Sequence, residues 1–204
     1  MIMRHAIVRS AAIGLALAFI AAAAYAQAPQ LERVRGQIVA LDGKTLKIKS
    51  REGKEIPVTL ADNFVVSAMV KTDVGAIKQN AYIGVAGVPQ GDKIVADAIQ
   101  IFPEGFKPPE GFGPWDHTAG GTMTNATVES VVTQASGREF KLKYKDGEKT
   151  IVAPPSAAIV AYEPGDASML KPGASVFIVA RKSPDGTLMA PRVAVGKNGL
   201  VPPL

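Results

Sequence analysis

Cysteine is absent from this chain of 204 residues. Its absence excludes disulfide bonds, thiolate metal sites, a thiol nucleophile and a lipid-modified cysteine. Hydrophobic cores must therefore stabilise the fold without covalent cross-links.

Histidine and the motifs of catalysis are also scarce. Beyond the first 26 residues the only histidine is His117, and no serine lies in a nucleophile elbow of the G-x-S-x-G kind. Calcium-loop, phosphate-loop and zinc motifs are missing. We therefore predict a protein that is not an enzyme and carries no cofactor.

After residue 26 the chain has no stretch apolar enough to span a membrane. The first 26 residues combine Arg4 and Arg9 with an apolar run at 11–24 and the sequence Ala-Tyr-Ala at 24–26. This is the layout of a secretory signal peptide that ends in a cleavage site. We expect its removal and export of the rest of the chain to the periplasm, with secretion as the alternative.

The excess of positive charge is small. Removal of residues 1–26 takes away Arg4 and Arg9, so that the net charge falls from +5 to +3, with 21 Lys plus Arg against 18 Asp plus Glu. Proteins that follow nucleic-acid phosphates concentrate Lys and Arg on one face. The composition therefore argues against a nucleic-acid partner.

The remaining chain contains an internal repeat. The stretch from Val34 to Phe102 recurs from Val128 to Val195, displaced by 93 to 94 residues. In both copies apolar and lysine residues alternate with a period of two, which predicts strands with one buried face. The predicted inward positions are Leu46, Ile48, Phe140, Leu142 and Tyr144, and the predicted outward positions are Lys47, Lys49, Lys141, Lys143 and Lys145.

Each copy predicts three strands, a short helix and two closing strands. Asp73 and Asp166 are placed to cap helices of one to two turns, which end at Asn80 and Gly173. This order matches the OB-fold, a five-stranded Greek-key barrel. We predict a mainly β protein with two tandem small OB-like barrels, each with a short helix between strands 3 and 4.

The repeat also sets the expected domain boundaries. A segment rich in Gly and Pro separates the two copies. The predicted parts are a signal peptide at 1–26, OB-like domains at 31–102 and 125–197, a linker at 103–124 and a C-terminal tail at 198–204.

Two sequence patterns resemble a known family. Both copies approach V-x-G-x-I/V-x-x-x-D-G-x-x-L-x-I, followed by L-K-P-G-x-x-V and A-x-x-V, although the first copy has Gln79-Asn80 where the second has Pro172-Gly173. The chain resembles a bacterial OB-fold-like domain family of unknown function. The linker GFGPWDHTAGGTMTNATV and the tail VGKNGLVPPL are similar to a tandem, two-domain exported form seen in alphaproteobacteria. The resemblance implies OB-like barrels and names no ligand.

Two groups of residues are candidates for ligand binding. OB barrels bind ligands on the face of strands 2 and 3, where Lys47, Lys49, Lys141 and Lys143 lie. Such a face would suit an envelope glycan or a lipid head group, and the alternative is that the lysines keep exposed strands soluble. In the linker, three aromatic residues either bind a periplasmic protein or cover the seam between the barrels: Phe106, Phe112 and Trp115.

A metal site is the alternative interpretation. Trp115, His117 and Met123 lie within nine residues. Thioether and imidazole ligands suit Cu(I), and an indole face can cover a cation. The sequence therefore predicts a non-catalytic periplasmic binding or envelope-interaction protein, with a Cu(I)- or Ag(I)-binding accessory protein as the alternative.

Overall fold

The computed structural model describes residues 30–134 and 137–204, and these residues form mainly β strands, as predicted. The predicted signal peptide lies outside the described residues. None of the helices in these two ranges has the length and apolar character needed to traverse a bilayer. The strands are β1 (Gln30–Asp42), β2 (Thr45–Ser50), β3 (Glu55–Lys71), β4 (Tyr82–Gln90), β5 (Lys93–Ile101), β6 (Gly111–Pro114), β7 (Thr122–Gln134), β8 (Gly137–Tyr144), β9 (Gly147–Ala153), β10 (Ala158–Pro164), β11 (Ser175–Lys182) and β12 (Leu188–Gly196).

Five strands close what we call the first barrel. β2 pairs antiparallel with β1 and β3, and β11 pairs antiparallel with β1 and β12. The ring closes where β12 runs parallel to β3, with Val193 opposite Val66. β1, β2 and β3 come from the first copy of the repeat, whereas β11 and β12 come from the second.

The second barrel has the same arrangement with the copies interchanged. β8 pairs antiparallel with β7 and β9, and β4 pairs antiparallel with β5 and β7. β5 closes the ring by running parallel to β9, with Ile94 opposite Ile151. Each barrel therefore takes three strands from one copy and two from the other.

This exchange differs from the predicted tandem arrangement. Closure within one copy would place β1 beside β4, but Val34 of β1 lies opposite Ile178 of β11. The apolar pattern of a strand specifies which face is buried and leaves open which of two similar partners it joins. The alternation itself is confirmed: Leu46, Ile48, Phe140 and Leu142 are buried and the lysines between them are exposed, while Tyr144 is half-buried.

β10 joins the two barrels into one continuous sheet. It pairs antiparallel with the end of β3, where Tyr162 lies opposite Met69, and parallel with β5. The apolar interior of each barrel contains residues from both copies, such as Leu46 with Ile178 in the first and Phe140 with Ile83 in the second.

The predicted short helices are single 3-10 turns of three residues, Val74–Ala76 and Ala167–Met169. The predicted caps are present, because Asp73 accepts a hydrogen bond from the backbone N–H of Gly75 at 2.6 Å and Asp166 accepts one from Ser168 at 2.8 Å. The residue after each turn, Ile77 or Leu170, leaves helical geometry, so neither turn continues into a second one.

The repeat is less regular than the sequence indicates. The first strand of each copy has one residue that leaves the hydrogen-bond register, Val39 in β1 and Glu129 in β7. These two residues are therefore equivalent, and the first strands of the two copies are 90 residues apart in the sequence rather than 94. The reason is that the β7–β8 hairpin has five residue pairs beyond that point, against three in β1–β2. Lys49 lies opposite Glu55 and Lys143 opposite Glu148, so the third strand is displaced by 93 residues.

The strand exchange can be tested with engineered disulfides, because the chain has no cysteine of its own. Leu31 lies opposite Arg181 in the β1–β11 ladder. Directly opposed residues of an antiparallel pair have Cα atoms about 4.5–5.5 Å apart, which suits a disulfide. We expect the L31C/R181C variant to form an intramolecular disulfide under mild oxidation, measured by thiol titration and mass spectrometry of the monomer.

The matched control is L31C/V88C, since Val88 occupies the position in β4 that Arg181 occupies in β11. This pair would lie together only if each copy closed its own barrel. Rapid cross-linking of L31C/V88C together with free thiols in L31C/R181C would contradict the exchange.

Candidate functional site

The predicted lysine faces lie on equivalent outer surfaces of the two barrels. Lys47 and Lys49 project from β2, and Lys141 and Lys143 project from β8, each between buried residues of its strand. The alternation places all four side chains in solvent. Whether each lysine has an ion-pair partner therefore depends on the residues of the neighbouring strands.

In the second barrel, carboxylates accompany the lysines. Lys141 Nζ lies 3.1 Å from Glu148 and 3.9 Å from Glu129, and Lys143 Nζ lies 4.0 Å from Glu129. The hydrogen bond to Glu148 raises the pKa of Lys141, and the charges of Glu148 and Glu129 act in the same direction. This face is a surface network of compensated charges.

In the first barrel the corresponding lysines lack such partners. Among the described residues, neither Lys47 nor Lys49 takes part in an ion pair. Part of the difference arises in the first strand, where Val39 occupies the place of Glu129. Glu55 lies opposite Lys49 in the ladder, as Glu148 lies opposite Lys143, but forms no ion pair with it.

An apolar side chain and a small cavity border this uncompensated face. Val39 is 41% exposed and lies beside Lys47 in the β1–β2 ladder. Leu41, opposite buried Leu46, projects to the other side of the sheet. A cavity of about 300 Å³ lies at the other end, lined by Lys49, Arg51 and Ser175 among others. The surface thus combines cations, an exposed apolar group and a recess.

Two of the three linker aromatics lie at the seam between the barrels. Trp115 packs against two apolar clusters, one that contains Phe177 of β11 and one that contains Met123 of β7. The ring of Phe106 lies under Arg192 of β12 at 3.9 Å. Phe112 is 42% exposed, with Lys149 Nζ at 4.7 Å from its ring.

Consecutive linker residues contact both barrels. Asp116 accepts hydrogen bonds from Arg35 of β1 at 2.7 and 3.3 Å, and His117 Nε2 lies 2.9 Å from Asp97 of β5. The guanidinium of Arg33 stacks on the Trp115 ring at 3.9 Å. We call residues 115–117 the linker clamp.

Electrostatics strengthen the clamp near neutral pH. Burial opposes ionisation of Asp116, but the hydrogen bond and charge of Arg35, together with the charge of Arg33, lower its pKa overall. Since the folded pKa lies below the unfolded one, this stabilisation is present above about pH 4 and is lost as the pH falls through the folded value.

The structure also locates the residues of the predicted metal site. Met123 is buried in the same apolar cluster as Trp115. His117 Nε2 contacts Asp97, and Nδ1 is buried without a hydrogen-bond partner in the described residues, beside Gly121. Coordination of a metal through Nδ1 would leave the contact of Nε2 with Asp97 intact. The metal site stays a prediction.

Several important residues were not among the sequence candidates. Val39, Glu129 and Arg51 shape the lysine faces, and Arg35 anchors the linker. A displacement of 94 residues aligns Arg35 with Glu129, whereas the hydrogen-bond register aligns Val39 with Glu129. The sequence contains the difference between Val39 and Glu129, but the unequal lengths of the two hairpins prevent a simple alignment of the copies from showing it.

Comparisons with protein-family models, curated proteins and solved structures give no match for this chain. Its function must therefore be inferred from the residues themselves.

Replacement of Trp115 tests the linker clamp. Trp115→Ala should lower the free energy of unfolding by about 2 kcal/mol, less than the cost for a fully buried aromatic residue, because Trp115 is half-buried and two apolar clusters lose a contact. Urea denaturation followed by circular dichroism measures this change.

Phe112→Ala is the control, because that side chain is 42% exposed and belongs to none of the apolar clusters of the described residues, and its effect should stay within about 0.5 kcal/mol. An unchanged unfolding midpoint for Trp115→Ala would mean that Trp115 is free for a partner rather than structural.

Proposed function

We propose that this chain is a non-catalytic periplasmic protein built from OB-like barrels, and that it binds anionic lipid head groups of the cell envelope through Lys47 and Lys49. The observation that carries the proposal is the unequal charge of two equivalent faces. Lys141 and Lys143 are compensated by Glu129 and Glu148, whereas Lys47 and Lys49 have no ion-pair partner among the described residues. Solubility alone would require no such difference.

The surroundings of the lysines favour a lipid over a soluble anion. Exposed Val39 next to Lys47 provides an apolar contact, and apolar contact together with positive charge strengthens binding to an anionic membrane surface. The recess of about 300 Å³ beside Lys49 and Arg51 is large enough for a phosphate group. Arg51 already donates to the carbonyl of Pro202 at 2.8 Å, which orients its guanidinium at the recess.

The barrel connectivity and the leader support the remaining parts of the proposal. In each barrel the third strand pairs with the fifth and the first with the fourth, as suits a five-stranded Greek-key barrel. Residues 1–26 favour export, which would place the lysine face among envelope lipids.

Alanine replacement of the lysines tests this proposal. Each lysine near an anionic membrane contributes about 1 kcal/mol, so K47A/K49A should weaken binding to phosphatidylglycerol vesicles by about 30-fold. Vesicle co-sedimentation at low and high salt measures the change, and binding of the unaltered protein should weaken as salt increases.

The repeat provides two matched controls. K141A/K143A removes the same charges from the compensated face and should change binding less than about threefold. Val39→Glu keeps both lysines and introduces the carboxylate of the other barrel, and it should weaken binding in the same direction as K47A/K49A. Equal effects of the two double variants, or equal binding to neutral phosphatidylcholine vesicles, would refute the proposal.

A further inference from the structure

A second cavity lies at the junction of the two barrels, and Val201 borders both this cavity and the recess beside Lys49 and Arg51. It has a volume of about 820 Å³, within the range of small-molecule sites. The end of β3, the loop between β9 and β10, and the C-terminal residues 200–203 form its walls. We call it the junction groove.

The walls of the groove are largely apolar. They include Val74, Pro154, Pro155, Ile159, Leu200 and Val201. Val201 is 58% exposed, the largest exposed fraction among the large hydrophobic residues described. Such a surface favours a ligand with an apolar body.

Arg138 provides a positive charge at the groove. Its Nη1 donates to the carbonyl of Val74 at 3.1 Å, and it forms no ion pair with any described residue. A guanidinium carries five N–H donors, so this single backbone contact leaves most of them available.

Comparison with the first barrel shows that Arg138 lacks a carboxylate partner. Its equivalent in the first barrel is Lys44, which forms an ion pair with Asp62 at 2.5 Å. The third-strand displacement of 93 residues places Pro155 at the position of Asp62. The second barrel therefore keeps the cation and replaces its carboxylate with an apolar residue that lines the groove.

A second cation and one carboxylate complete the charges. Lys71, at the end of β3, also lines the groove and takes part in no ion pair among the described residues. Asp73 lines it too, but its Oδ1 accepts the hydrogen bond from Gly75 that caps the 3-10 turn. The groove retains a net positive charge beside apolar walls.

We propose that the junction groove binds an amphiphile with one apolar chain and an anionic head, with the head on Arg138 and Lys71 and the chain along Pro155, Ile159 and Val201. A carboxylate or a phosphate monoester suits these cations, because guanidinium groups bind both in a bidentate manner. The cations of the groove, Arg138 and Lys71, differ from those of the lysine face, so the groove adds a soluble, single-chain ligand to the proposed interaction with membranes.

Isothermal titration calorimetry of the protein without residues 1–26 tests this site. Dodecanoate and dodecyl phosphate, below their micellar concentrations, distinguish a carboxylate from a phosphate head, and dodecanol is the neutral control. We expect one-to-one binding of at least one anion, and binding of dodecanol at least tenfold weaker. Failure of both anions to bind, or equal binding of dodecanol, would overturn the proposal.

Variants locate the bound head group. R138Q should weaken binding of the anion at least tenfold, and Pro155→Asp, which supplies the carboxylate of the other barrel, should weaken it in the same way. K44Q is the matched control because Lys44 is already paired with Asp62, and it should leave affinity unchanged. Circular dichroism confirms that each variant is folded.

K47A/K49A separates this proposal from the function proposed above. It should leave dodecanoate and dodecyl phosphate binding unchanged while it weakens binding to vesicles. Anion binding that survives both R138Q and Pro155→Asp, or that is lost in K47A/K49A, would place the ligand outside the groove.

Discussion

Closure of each barrel by strands from the other half of the chain is the constraint on which this structure depends. Three strands of one copy leave two open edges of unpaired N–H and C=O groups, and such edges must be paired or protected. β11 and β12 satisfy those edges in the first barrel, and β4 and β5 satisfy them in the second. Neither half can therefore complete its observed barrel alone. The linker clamp adds contacts to both barrels, since Asp116 bonds to β1 and His117 contacts β5.

Because of the exchange, the two barrels have the same order of strands. Side-chain differences between them therefore indicate where their surfaces could differ in function. Val39 and Glu129 leave their ladders at the same point, whereas Asp62 lies within β3 and Pro155 lies in the turn between β9 and β10. Val39 in place of Glu129 leaves one lysine face uncompensated, and Pro155 in place of Asp62 leaves Arg138 without a carboxylate. Both differences remove a negative charge and add an apolar side chain. A protein that binds anionic amphiphilic molecules would gain from both changes.

Local patterns predicted much of this fold, whereas the choice among similar partners could not be predicted. Period-two alternation identified the buried face of β2 and β8. An aspartate with an apolar residue one turn later identified both capped turns, although not their short length. The sequence could not predict that Val34 pairs with Ile178 rather than with Val85, the equivalent residue of β4, because both partners are apolar residues in similar strands. The lysines were found as candidates from the sequence. The sequence alone did not reveal that only one pair of lysines has carboxylate partners. This difference depends on the unequal lengths of the two hairpins and on which residue of the first strand falls outside the hydrogen-bond register.

Chemical-shift mapping by NMR tests the central claim most directly, because it observes both lysine faces in one unaltered molecule. The ¹⁵N-labelled protein without residues 1–26 is titrated with a short-chain phosphatidylglycerol below its micellar concentration. The account predicts amide shifts in β2 and around Val39 and Arg51, with β8 and Glu129 unaffected. Equal shifts on β2 and β8, or shifts confined to β8, would contradict the proposal that the first barrel, with Val39 in place of a carboxylate, is the binding surface.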